Sequence, residues 1–302
     1  MQNRYFSCHV KPAYKAMDRI TPLGVSFICY TAISILNYRV TKCPASLNAP
    51  NKTKEYRDFY GQHVSFVHAW ITVLLGLYVY MLEGGVDYEM HTNQWHVIVM
   101  AHSLGYFMYD TCYAEYFGVH DTPMRFHHVF SLFGGFTLYF SSYGGSAAVL
   151  SLLLGEVSNP WIMKRHIMRT KGQEQFLMYS VYEYTFAVTF LLIRSIGASF
   201  ITYNMWISPI NYVAKCNVSA LYGIGLFWCF VILGMLHKKL KQEKAEPSCG
   251  RNLLAWLVHP LRHHLTLLVI CLVIISTVIP IVLTQVYHFG YVNVRVGDTN
   301  LL

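Results

Sequence analysis

The chain has 302 residues, of which 54% are hydrophobic, 16% aromatic and only 13% charged, with a formal net charge of +8. Soluble domains carry about 25% charged residues, so a soluble globular domain is excluded and a polytopic membrane protein is indicated. The lysines and arginines fall in short segments between apolar runs, where membrane orientation accounts for them. No RNA- or DNA-binding signature accompanies them, and no nucleic-acid partner is expected.

Taken in order, the first twenty residues hold Arg4, Lys11, Lys15, Asp18 and Arg19 without an apolar core. No cleavable signal is read there, and the first apolar helix is expected to stay as an anchor. A span needs about 20 apolar residues, which predicts helices at 21–38, 63–82, 95–117, 126–143, 147–163, 176–200, 218–236 and 264–287. Thr31, Ser34 and Asn37 dilute the first. Glu156, Asn159 and Pro160 near the end of the fifth predict a broken or re-entrant helix. The fold class is therefore all-α, a multi-pass transmembrane bundle.

Sixteen Lys and Arg lie in the loops 39–62, 118–125, 164–175 and 237–263, and six on the other side. The first set is expected in the cytosol, with both termini lumenal or external. On that map the sequon Asn51-Lys52-Thr53 faces the cytosol and Asn217-Val218-Ser219 abuts a helix, so neither is expected to be glycosylated. Lys238, Lys239, Lys241 and Lys244 form a juxtamembrane basic cluster, read as a topology signal, with attraction to anionic lipid as the alternative. The eight cysteines show no CxxC and no zinc spacing.

Ionisable groups inside apolar spans cost at least a few kcal/mol unless paired or hydrated, so they mark candidate sites. On the third span His102, Tyr106 and Asp110 recur every four residues and share a helical face. The fourth opens with His127 and His128 and continues to Gly134-Gly135, where a neighbouring helix or a ligand chain can come close. The fifth carries Glu156 and Asn159 at i,i+3, followed by Lys164 and Arg165. The sixth carries Glu183 and Arg194, about 16 Å apart along the helix and too far for direct pairing. Arg194 thus needs another partner, with Glu156 or Asp110 as candidates. His68 lies in the second span. A neutral imidazole backed by a carboxylate serves as a general base or attacks an acyl thioester, giving His127, His128, Asp110 and Glu156 as candidate catalytic residues. His68, His102, Tyr106, Asn159, Arg165 and Arg194 are candidate substrate-binding residues. Metal binding ranks lower, because adjacent histidines do not share a helical face as an i,i+4 pair does. No metal or cofactor is expected.

The combination of Leu104-Gly105-Tyr106 with Tyr109-Asp110, His127-His128, and Glu156-Val157-Ser158-Asn159-Pro160 followed by Arg165 resembles the TLC-domain family, named after the TRAM, Lag and CLN-type membrane proteins. The resemblance covers roughly 58–240, leaving 1–57 as an N-terminal segment with the first span and 241–302 as a basic loop, a further span and a tail. It implies a six-helix barrel around a lipid-accessible cavity, with about two flanking helices, in the endoplasmic reticulum or another endomembrane, the plasma membrane being the alternative. In the family's ceramide synthases the paired histidines and following acids move an acyl chain from acyl-CoA to a sphingoid base. Carried over, His127 and His128 would handle the acyl group and Glu156 would be the first acid. Those synthases have a histidine before that acid and an aspartate three residues after it, where this chain has Gly155 and Asn159. The expected partners are membrane lipids, fatty acyl or sphingolipid among them, with acyl-CoA a substrate if the chain is an acyltransferase. The first expectation is a protein that binds or regulates membrane lipids. Acyl transfer, and transport or cargo reception, are the alternatives.

Overall fold

A computed structural model describes residues 16–47 and 50–245. They form α1 (Ala16–Val40), α2 (Thr53–Leu82), α3 (Gln94–Phe117), α4 (Thr122–Tyr139), α5 (Gly145–Glu156), α6 (Asn159–Thr170), α7 (Leu177–Leu192), a π-turn (Ile193–Gly197), α8 (Ala198–Ile207) and α9 (Tyr212–Ala245). No strand occurs among the described residues, so the fold is all-α. The segment 264–287, the tail beyond it and most of the basic loop 237–263 lie outside the described residues.

By length and composition, four stretches among the described residues are apolar enough to cross a membrane: Arg19–Val40, Thr53–Leu82, Leu177–Ile207 and Tyr212–Lys239. Ile28, Leu36, Leu74, Phe200 and Phe230 on these helices are exposed. In water such a surface would drive aggregation; in hydrocarbon it is the solvated face. The polar dilution of the first span lies on its inner side. Ser34 and Asn37 are buried, and Asn37 Nδ2 donates to the Tyr60 carbonyl at 2.9 Å. α1 therefore packs as a full member of the bundle.

The helices run up and down. At one end Glu83 gathers the loops, accepting from Asn93 Nδ2 at 2.7 Å and from Ser146 Oγ at 3.4 Å while lying 2.8 Å from His96 Nε2. Asn93 caps α3 by accepting from the His96 backbone N–H at 3.0 Å, and His96 Nδ1 accepts the Asn93 N–H at 3.2 Å. The Arg19 guanidinium closes on the Tyr139 carbonyl at the same end. At the other end Tyr113 donates to the Arg57 carbonyl at 2.8 Å and its hydroxyl lies 2.6 Å from that of Tyr38.

Two local breaks set the positions of the polar groups in the interior. α5 ends at Glu156 and α6 restarts at Asn159, with Pro160 in its first turn, where the missing N–H costs nothing. The fifth predicted span is thus two short helices, and Glu156 falls at their junction. Between α3 and α4 only four residues intervene. Gly118 takes a left-handed φ of 63°, which suits glycine, and Asp121 caps α4 by accepting from the Met124 N–H at 3.0 Å. That tight turn holds His120 against the bundle.

Candidate functional site

A cavity of about 580 Å³ opens between α2, α3, α4, α6, α7 and α9. That volume is within the range of small-molecule sites, about 300–1,000 Å³. Phe107, Phe186, Phe190, Trp228 and Ile232 give it apolar walls, and Asp110, His127, His128, Glu156 and Arg194 give it polar groups. Lys54, Asp58, His166 and Asp121 line the end where α2 begins and α3 gives way to α4.

Seven of the ten residues named from sequence as catalytic or binding line this cavity: Tyr106, Asp110, His127, His128, Glu156, Asn159 and Arg194. Asp110 and Tyr106 arrive together because they are one turn apart on α3. His128 is 5% and Asp110 9% exposed, and His128 Nε2 lies 3.4 Å from Asp110 Oδ2. His127 turns the other way, its ring 5.2 Å from that of Trp228. Glu156 accepts from Asn159 Nδ2 at 2.8 Å, the i,i+3 pair meeting across the helix break. Arg194, carried by the π-turn, donates from Nη2 to the Gly155 carbonyl at 3.0 Å, so its hydrogen-bonded partner is backbone at that break.

The other three lie elsewhere. His68 and His102 belong to an aromatic cluster behind the cavity wall. The His68 ring stacks on Tyr106 at 3.7 Å, and the Tyr30 hydroxyl reaches His68 Nδ1 at 3.1 Å and His102 Nε2 at 3.0 Å. His68 Nε2 approaches Glu156 Oε1 only to 3.9 Å. Arg165 pairs with Glu183 Oε1 at 2.8 Å, and the same carboxylate meets Lys239. That cluster forms a separate surface pocket with Arg169, Glu174 and Lys238.

Sequence reasoning did not select His120, Asp58, His166 or Trp228. His120 Nε2 stands 3.6 Å from Asp110 Oδ2, its ring 4.4 Å from that of His128. His166 Nε2 and Asp58 Oδ2 are 2.9 Å apart. His120 lies outside the spans, in a turn with no periodicity to read, and burial holds its imidazole below the usual histidine range. His166 follows Arg165 in a segment that reads as a basic loop.

The sequon at Asn217 is closed sterically. Its side chain is buried against Gly134 so tightly that a Cβ there would overlap Nδ2. The glycine pair thus admits α9 at Gly134 and Leu104 of α3 at Gly135.

A bundle apolar outside, with imidazoles, carboxylates and a guanidinium around an internal chamber, defines a multi-pass membrane protein with a buried polar site. Residues 58–241 match the family model described as the TLC domain. The chain belongs to the TLC-domain family.

Proposed function

We propose that this protein binds a membrane lipid in the cavity between α2, α3, α4, α6, α7 and α9 and acts in membrane lipid homeostasis. The observation that carries the reading is the division of the cavity wall. Phe107, Phe186, Phe190 and Ile232 suit an acyl chain, while Arg194, Glu156, His127 and Tyr106 offer a cation, acceptors and donors to a polar head. The motif spacing also suggests the subgroup of TLC-domain-containing protein 5, in the endoplasmic reticulum or another endomembrane. Native mass spectrometry of the chain purified in mild detergent tests the lipid reading. Wild type should carry bound lipid, and the double substitution His127→Ala/His128→Ala should lose most of it while remaining monodisperse. Equal lipid in both would overturn it.

One observation favours acyl transfer as a second reading: His127 and His128 share the cavity with the carboxylates of Asp110 and Glu156. Incubation with acyl-CoA and a sphingoid base, followed by intact mass, looks for an acylated imidazole and an N-acyl product. The absence of both adduct and product would count against it. Asn159, standing where the synthases have a second acid, is already engaged as a donor to Glu156, which supports binding over turnover.

A further inference from the structure

We propose that Asp110, His120 and His128 form a three-ligand site for a divalent transition-metal cation, with zinc the ion it suits best. One donor atom from each residue lies within 4.8 Å of the others, and all three residues line the cavity. The distances are the first reason. His128 Nε2 and His120 Nε2 stand 3.4 and 3.6 Å from the same carboxylate oxygen, Asp110 Oδ2. Charge-assisted hydrogen bonds close to about 2.7–2.9 Å, so both pairs are long for that. Two ligands on tetrahedral arms of about 2.0–2.1 Å are separated by roughly 3.3–3.4 Å, which is the spacing found. The remaining His120–His128 edge closes by adjustment of His120, which sits in a four-residue turn rather than a helix.

The second reason is the tautomer of His128. Thr111 Oγ1 donates its one hydrogen to the Phe107 carbonyl at 2.7 Å and lies 3.1 Å from His128 Nδ1. It can therefore only accept from that nitrogen, which must carry the proton. The lone pair of His128 is then on Nε2, pointing at a carboxylate oxygen. Two acceptors facing each other in a buried place need a proton or a cation between them, and the long separations favour the cation. The Thr111–His128 contact is also the outer support that orients ligating histidines in metal sites. His120 has no such outer support, its Nδ1 being buried with no hydrogen-bond partner among the described residues.

An aspartate and two histidines leave the fourth tetrahedral position to the cavity, the pattern of an open zinc site. The adjacent pair His127-His128 alone does not make such a site; His120 does, because the turn after α3 folds it back over Asp110.

The test uses the full chain purified in detergent after growth with zinc, dialysed against metal-free buffer and measured by inductively coupled plasma mass spectrometry. About one zinc per chain is expected in wild type, in His166→Ala, which alters a cavity residue outside the triad, and in His120→Cys, which keeps a ligand. His120→Ala and Asp110→Asn should fall by roughly tenfold or more, with size-exclusion profiles reporting that each variant is folded. Reconstitution with Co2+ gives a second readout. Wild type should show visible d–d absorption of tetrahedral intensity, and His120→Cys should add a thiolate-to-metal charge-transfer band. Wild type without zinc after growth and reconstitution would overturn the site, as would zinc retained in His120→Ala. A proton on Asp110 would then be what reconciles the facing lone pairs.

Discussion

The seat of α1 can be tested at a single atom. A Cβ at Gly105 of α3 would stand 2.5 Å from Ser26 Cβ and Oγ and 2.8 Å from the Phe27 backbone nitrogen. Carbon contacts settle at about 3.5–4.0 Å, so Gly105→Ala forces α1 to retreat by about 1 Å. Backbone is among the clashing atoms, so no rotamer change relieves it. Overpacking of this kind costs about 1–3 kcal/mol. The same retreat strains the hydrogen bond from Ser26 Oγ to the His102 carbonyl, now 2.9 Å, for a further ~0.5–1.5 kcal/mol. Alanine returns about 1 kcal/mol through helix propensity, leaving a net loss of about 0.5–3.5 kcal/mol. Gly24→Ala on α1 is the matched control, since nothing lies within 4 Å of its Cβ; it should gain about 0.5–1 kcal/mol. Thermal unfolding of both variants in one detergent should lower the midpoint for the first by several degrees and raise it slightly for the second. If both rise together, α1 is not docked on α3 through Gly105.

Three other outcomes are expected. Glu83→Ala removes the acceptor shared by Asn93, His96 and Ser146; it should cost about 2 kcal/mol and speed hydrogen exchange across 84–93, and unchanged exchange there would refute the lock. Glu183→Gln takes the charge from Arg165 and Lys239, groups partly open to solvent, so the loss should be about 1 kcal/mol or less. Its signature is a flattened dependence of the unfolding midpoint on salt; a slope equal to wild type would show that the pairs contribute nothing. Val231 is 42% exposed yet borders the cavity, so Val231→Trp should reduce copurified lipid at native mass spectrometry with little change in unfolding midpoint. Undiminished lipid would show that this edge is not an entry.

The helices are largely legible in the sequence because hydrophobic runs bounded by polar loops are a strong signal. The run predicted at 95–117 is α3, Gln94–Phe117. The fourth run extends to 143, but its helix ends at Tyr139, because the backbone of Ser142 turns to accept from Thr92 at 2.8 Å. The sixth reads as one helix over 176–200, and nothing in its apolar composition announces the π-turn. Of the stripe His102, Tyr106 and Asp110, periodicity gives the face but not the depth. His102 lies eight residues before Asp110, about 12 Å along the axis, where Tyr30 of α1 covers it. His120 is illegible for the opposite reason: a turn residue has no period, and only the fold shows that it bends back toward Asp110.

The π-turn at Ile193–Gly197 inserts one residue into an otherwise continuous rod, so everything beyond it is rotated by about 100° relative to an unbroken spiral. With that offset Phe200 and Ile207 face out on the same side as Val188 and Leu192 of α7, while Ile201 and Met205 face inward. Regularising the pitch without removing a residue would turn α8 about its axis by that angle, whereas removing one residue as well would leave α8 facing as it does. The π-turn therefore lets the chain hold one residue more than a regular helix would while α7 and α8 keep a common outer side.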